Sequence, residues 1–297
     1  MRKPETIFAV LLVVAGALSL ALQRWVFVDP TAQSDWADAA SWVEARIDER
    51  DVFRIEPWWY ERALTHFVAV GARADRIRTP LLEDLYRYED VFVVAQADRL
   101  DRALAALPFA AEPVETHDFG TVRTARVPVP TDAFRWELLE HLGDATVTRV
   151  RGAHVERCDR WNPRERRWDC GPQARWLYVG EELREVGDDP RRCVWAHPLD
   201  HGRTLRIAST VPPADTIRVR GSFDLRAARL PRDGAVLMQV FVNDTLAHER
   251  HVEHDDHSWT PFDIDVSEIE GPVELRVEID LKGSIKDRYF CVNAWAK

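Results

Sequence analysis

The chain has 297 residues, a formal net charge of −10 and 46% hydrophobic residues, enough for about two folded domains. Residues 1–150 carry 17 basic and 24 acidic groups and residues 151–297 carry 23 and 26. Neither half offers the positive surface that nucleic-acid binding requires. Only four lysines stand beside 36 arginines, a bias of genome composition, and twelve tryptophans is a high count for residues that fill cores and stack on sugar rings.

Met1-Arg2-Lys3 leads into the uncharged apolar run Ile7–Leu22, sixteen residues long. A spanning helix needs about 20 apolar residues and a signal-peptide core about 7–15. Trp25, Val26 and Phe27 extend the apolar stretch past Arg24, and Trp25 suits a membrane interface. The expectation is therefore an uncleaved anchor over residues 1–28. The basic N-terminus stays in the cytoplasm and the body is exported across a bacterial inner membrane. Ser19-Leu20-Ala21 offers a signal-cleavage alternative, and a buried core helix is a third reading.

Residues 30–143 alternate helix and strand. Ser34 can cap a helix with Trp36, Ala39, Ala40, Val43 and Ile47 on one face, and Asp35 and Asp38 in its first turn. Val52–Ile55 reads as a strand, followed by Glu56-Pro57-Trp58-Trp59-Tyr60 and a helix through Leu64, Phe67 and Val68 to Gly71. Thr79-Pro80 starts a helix to about Tyr88, and VFVVA at 91–95 is a strand covered on both faces. Asp98 caps a helix with Leu100, Ala103, Leu104 and Leu107 inward, and two strands flank Phe119-Gly120. Thr131 opens a last helix with Phe134, Leu138 and Leu142 inward, ending at Gly143. The alternation predicts a small Rossmann-like α/β domain. It contains no G-x-G-x-x-G or G-x-x-x-x-G-K-[ST] run, so no cofactor is expected. Ligands of open α/β sheets sit beyond the carboxyl ends of strands. Glu56 with Trp58, Trp59 and Tyr60 is therefore a candidate sugar or lipid-linked headgroup site, against the alternative that the tryptophans pack under the next helix.

The succession SDWADAASWVEARI, DVFRIEPWW, YEDVFVVAQ, a helix ending in LPF, and VETHDFGTVRTARV resembles the extracytoplasmic α/β domain of bacterial multi-spanning glycosyltransferases that use polyprenyl-phosphate-linked sugars. The resemblance covers about 30–130. Those enzymes have many membrane helices and acidic catalytic residues near the first, and this chain has one candidate helix and no such loop. The resemblance thus implies an accessory or detached domain, with no catalytic residue carried over.

From Ala145 short β-branched and aromatic runs recur between turn signals: Thr146–Val150, Arg175–Val179, Thr204–Thr210, Ile217–Phe223, Val236–Val242, Ala247–Val252, Trp259–Val266, Val273–Leu281 and Tyr289–Trp295. This spacing predicts a β-sandwich over 144–297, with Asn243-Asp244 as a turn. GSFDL, VFVNDTLAHERHV, W-x-x-F-D-I-D-V, VELRVEIDL and DRYFCVNAW resemble the jelly-roll modules that accompany carbohydrate-active enzymes, over about 190–297. The resemblance implies glycan contact through Trp195, Trp259, Tyr289 or Trp295, or a supporting role with no ligand, against the alternative that these tryptophans fill the core, as most do in a sandwich.

Four cysteines, all in the second half, favour two disulfides in an exported domain. Three connectivities are open, and Cys158–Cys170 with Cys193–Cys291 is favoured because the first closes the arginine-rich excursion CDRWNPRERRWDC. A zinc site would lack any C-x-x-C pair. His248, His251, His254 and His257 recur every third residue, a period that sends strand side chains to opposite faces, so no metal site is expected. His197 with Asp200 and His201 lacks a nucleophile in a recognisable motif. The chain thus reads as a membrane-anchored, non-catalytic binder of a glycan or polyprenyl-linked sugar, beside a multi-spanning glycosyltransferase. The alternatives are a glycosyltransferase-related or glycoside-acting enzyme, and a structural subunit docking a multi-spanning partner.

Overall fold

The computed structural model describes residues 13–19, 33–130, 132–170, 177–199, 202–230, 234–283 and 288–297. Arg2, Lys3, Arg24, Trp25, Val26, Phe27, Thr131, Arg175, Asp200, His201 and the ends of Ile7–Leu22 lie outside them. Residues 13–19 are helical, with Val13, Val14 and Leu18 exposed. Among the described residues no helix is long and apolar enough to cross a membrane. The chain divides into two units. The first comprises Met1–Arg78 and Tyr88–Val129; the second comprises Thr79–Arg87 and Pro130–Lys297.

The first unit holds α1 (Gln33–Glu44), β1 (Val52–Glu56), α2 (Glu61–Leu64), α3 (Val68–Gly71) and β2 (Asp75–Arg76). In the second unit α4 spans Leu82–Leu85; the first unit then resumes with β3 (Asp90–Gln96), α5 (Leu100–Ala105), β4 (Glu115–Phe119) and β5 (Val122–Pro128). Its sheet runs β2-β1-β3-β5-β4, with β1 parallel to β2 and β3, and β5 antiparallel to β3 and β4. Helix α1 buries Trp36, Ala39, Ala40, Trp42 and Val43 against Phe53, Ile55, Phe92 and Val94 of the sheet, as its spacing predicts. Strand β3 is buried at Val91–Ala95 on both faces.

The segment after Gly71 differs from expectation. The helix starting at Thr79-Pro80 is reduced to the single turn of α4. Asp98 does not cap; Ala97–Arg99 is a 3-10 turn leading into α5. The helix expected from Thr131 to Gly143 does not form. Trp136 and Glu137 make β6, antiparallel to the last strand, and a 3-10 turn spans Leu142–Asp144. Phe134, Leu138 and Leu142 are buried as their spacing suggested, but pairing with a distant strand overrides the helical period. In sequence the first unit ends at Val129 and the second resumes at Pro130.

The second unit is a β-sandwich. Its remaining strands are β7 (Thr146–Arg151), β8 (His154–Arg157), β9 (Arg160–Asn162), β10 (Arg167–Asp169), β11 (Tyr178–Val186), β12 (Asp189–Ala196), β13 (Thr204–Val211), β14 (Thr216–Phe223), β15 (Gly234–Val242), β16 (Thr245–Val252), β17 (Pro261–Asp265), β18 (Val273–Gly283) and β19 (Phe290–Ala296). One sheet runs β17-β14-β19-β12-β11-β10-β9 with β6 beside β19, and the other runs β16-β15-β18-β13-β7-β8. Strict alternation buries Val236, Met238, Val240 and Val242 of β15 and Leu275, Val277, Ile279 and Leu281 of β18 in the shared core. Asn243 and Asp244 take positive φ in the β15–β16 turn. The disulfides are Cys158–Cys170, closing the arginine-rich excursion, and Cys193–Cys291, joining neighbouring strands β12 and β19.

The outer face of β19 is not left to water. Cys291 and Trp295 join Phe134, Val186, Cys193 and Trp259 in a separate apolar cluster, packed by Leu81, Leu82 and Tyr86 of the Thr79–Arg87 segment. Charge fixes that segment in place. Glu83 accepts from Arg218 Nη1 and Arg220 Nη2, each at 2.9 Å, and Asp84 accepts from Arg191 Nη1. Glu137 accepts from Arg87 Nη2 at 2.6 Å, from Asn293 Nδ2 at 2.7 Å and from the Tyr86 hydroxyl.

Candidate functional site: an aromatic turn in the first unit

Alternation along β1 sorts its side chains. Phe53 and Ile55 enter the core beneath α1, and Arg54 and Glu56 take the other face. There Arg54 Nη2 donates to Glu56 Oε2 at 3.2 Å, with the two side chains 9% and 13% exposed, and Arg54 Nη1 reaches the Ala103 carbonyl of α5. The Glu56 carboxylate is therefore neutralised by its own strand and is not free to serve as a separate acidic group.

Beyond Glu56 the chain passes through a cis Glu56–Pro57 bond and a tight turn, in which Tyr60 N–H donates to the Pro57 carbonyl at 3.1 Å. The turn points its two tryptophans outward. Trp58 is 44% exposed and Trp59 59% exposed, with ring centroids 5.7 Å apart and planes at 88°. Tyr60 turns inward instead; its ring lies 5.5 Å from Trp36, and its hydroxyl is buried without a hydrogen-bond partner. The Arg78 guanidinium lies over the Trp58 ring at 5.4 Å. Exposed aromatic surface rimmed by polar groups marks contact sites on folded proteins. Two indoles at right angles form a corner, one ring a floor and the other a wall.

The four aromatic candidates of the second unit fare differently. Trp195, Trp259 and Trp295 are 3%, 6% and 2% exposed, in line with the core alternative for each. Trp259 packs under the β11–β12 turn, where an added Cβ on Gly187 would sit 2.9 Å from its Cβ. Trp295 lies beneath Leu81, Leu82 and Tyr86. Trp195 is enclosed by Tyr178, His197 and Tyr289, with ring centroids 6.1, 5.9 and 5.2 Å away, and by the Arg184 guanidinium at 4.3 Å. Tyr289 is half-buried in this cluster. Burial, with the hydrogen bond to Glu182, pushes the Tyr178 phenol up to about 12. A recess beside it, lined by Tyr178, His197 and Leu205 among others, has a volume of only about 10 Å³, room for a single water and far short of the roughly 300–1,000 Å³ of ordinary small-molecule sites.

The histidines of β16 and the following loop have separate neighbours. His248 stacks on Phe262 at 3.7 Å, where burial pushes its imidazole below the usual range. His257 Nε2 lies 3.2 Å from Asp188 Oδ1, and Asp256 is taken by Arg250 and Ser258. Among the described residues no group of three metal-binding side chains forms. His197 Nδ1 sits 2.8 Å from the Pro198 carbonyl oxygen, in the Trp195 cluster.

Two functional features escaped sequence reasoning. Arg54 stands two residues before Glu56 on one strand, a signal for a same-face pair that alternation alone supplies. Arg78 lies twenty residues from Trp58 and carries no local signal. No known protein family matches the chain, and no curated protein matches it. Among solved structures it is similar to the tandem CBM51 modules of the family 98 glycoside hydrolase from Streptococcus pneumoniae SP3-BS71 (12% identity, 61% of this chain and 55% of that one, TM-score 0.30). It is also similar to the CBM51-2 and INT domains of Clostridium perfringens ZmpB (16% identity, 40% and 26%, TM-score 0.29). A third is the CBM51 of Clostridium perfringens GH95 in complex with methyl-galactose (11% identity, 39% and 78%, TM-score 0.28). The chain thus spans about a quarter of the ZmpB chain, and likeness at this level provides no ligand or residue correspondence.

Proposed function

We propose that the chain is a non-catalytic glycan-binding protein of the bacterial envelope, with the sugar held at the Trp58–Trp59 corner. The observation that carries this reading is the outward presentation of two adjacent tryptophans at the carboxyl end of a parallel strand, the place where α/β sheets receive ligands. The C–H face of a pyranose packs on one indole, and the perpendicular ring limits how the sugar rotates. Ile7–Leu22 holds the body at the outer face of the inner membrane, within reach of polyprenyl-linked sugars and of a multi-spanning glycosyltransferase partner. In this reading the first unit is a Rossmann-like domain, supported by its parallel order β2-β1-β3, and the sandwich is a jelly-roll-like support.

The test is a glycan array followed by calorimetry on the full chain in mild detergent. Trp59→Ala lowers affinity at least tenfold, because the more exposed ring supplies the stacking surface, and Trp58→Ala has a smaller effect. Absence of binding to every glycan, or binding unchanged in both variants, rejects the reading. The intact mass of the mature chain tests the anchor: retention leaves residues 1–21 in place, and cleavage after Ala21 removes them.

A further inference from the structure

We infer that the Trp58–Trp59 corner selects saccharides that carry a negative charge, through Arg78. The inference rests on the glycan-binding reading and names the class of sugar. The one carboxylate at the strand end, Glu56, is already paired with Arg54 at 3.2 Å, so the two cancel. Arg78 is not cancelled. Among the described residues no carboxylate lies within ion-pair distance of its guanidinium, and its buried Nε has no hydrogen-bond acceptor. Five other arginines of the first unit, Arg46, Arg50, Arg73, Arg123 and Arg126, each stand beside an acidic side chain. Arg62 at the start of α2 is exposed, next to Glu61 of opposite sign, and water solvates both.

Arg78 is half-buried and lies over the face of an exposed indole. This position limits its rotamer freedom and fixes a delocalised cation at the rim of the aromatic corner. A planar fork of N–H donors without an acceptor matches a carboxylate or phosphate oxygen pair. A neutral sugar offers this guanidinium only hydroxyl and ring oxygens; an acidic sugar stacked on the corner adds an ionised acceptor. The chain as a whole carries a charge of −10, so no general anion attraction accounts for such a preference; it must come from this local cation.

The experiment is an array of paired glycans, each acidic member (uronic, sialylated, sulfated or phosphorylated) printed beside its neutral counterpart. Full-length protein in mild detergent is the probe. Trigalacturonate and its methyl ester then serve as a matched pair for titration. The expected result is an acidic-over-neutral preference of about tenfold, the scale of one charge-assisted hydrogen bond. Arg78→Gln weakens the acidic members more than the neutral ones and so removes the preference; Arg78→Lys keeps part of it; Trp59→Ala weakens both members alike. Equal affinity for acidic and neutral members, or a preference that survives Arg78→Gln, overturns the inference while leaving glycan binding intact. Binding to no member of any pair rejects the glycan reading itself.

Discussion

Two buried glutamates of the second unit titrate in opposite directions. Burial alone would raise Glu83, but the Arg220 charge and the hydrogen bonds from Arg220 and Arg218 bring its carboxyl below the ordinary value near 4.5. Glu137 is raised by burial, against the opposing influence of Arg87, Tyr86 and Asn293. The two signs give different pH dependence. A lowered folded pKa contributes stability above the unfolded value, and this is lost as pH falls through the folded one. A raised pKa contributes below the unfolded value and is lost as pH rises. The stability gap between the native chain and Glu83→Gln therefore narrows below about pH 4.5, and the gap to Glu137→Gln narrows as pH rises above it; urea titrations from pH 3 to 8 measure both. Glu83→Ala leaves Arg218 and Arg220 without their shared acceptor, at a cost of about 3–5 kcal/mol at neutral pH. Trp259→Ala costs about 3–5 kcal/mol by the same assay, through the cavity it opens, and leaves glycan affinity unchanged.

At the level of elements, the β11–β12 hairpin turns on Gly187 (φ 58°) and Asp188 (φ 64°), and Gly187 N–H donates to the His257 carbonyl at 2.7 Å. Gly187→Ala combines a left-handed backbone with a clash on Trp259, so the melting temperature falls by several degrees, about 1–2 kcal/mol. The disulfides close loops of very different length, 12 and 98 residues in separation. Replacing the Cys193–Cys291 pair by alanine is expected to cost about 5 kcal/mol and the Cys158–Cys170 pair about 3, each read from urea unfolding. Strands such as β15 and β18 were legible because one face is buried and alternation is strict. The β11–β12 hairpin was not read, although Val186-Gly187-Asp188-Asp189 contains a Gly-Asp turn signal, because charged residues such as Glu185 and Arg192 mask its alternation. The Trp58–Trp59 turn was legible as an aromatic strand end. The burial of Trp195, Trp259 and Trp295 was open as the core alternative, but what covers each was not legible, since the covering residues are distant in sequence.

On the scale of the whole chain, the second unit is discontinuous. Nine of its residues, Thr79–Arg87, precede the rest by a long interval, and they pair with the buried Arg191 and Arg220 and the half-buried Arg218. A fragment beginning at Pro130 lacks those carboxylates and is expected to unfold at lower urea than the same strands in the intact chain. A synthetic Thr79–Arg87 peptide added in excess raises its midpoint, and the same peptide with Glu83→Gln and Asp84→Asn does not. An unchanged midpoint for the fragment would show that the sandwich is complete without the segment.

The separation between Glu83 and its partners also sets an order of events in time. Arg218 lies 135 positions further along the chain. At roughly 5–20 residues per second of synthesis, the glutamate waits on the order of ten seconds or more before its counter-charges exist. Over that interval Glu83 is an ordinary hydrated anion, and Leu81, Leu82 and Tyr86 have no sheet to cover. The sandwich can close only after β19 is made, so that strand is the step that commits a segment made some two hundred residues before it.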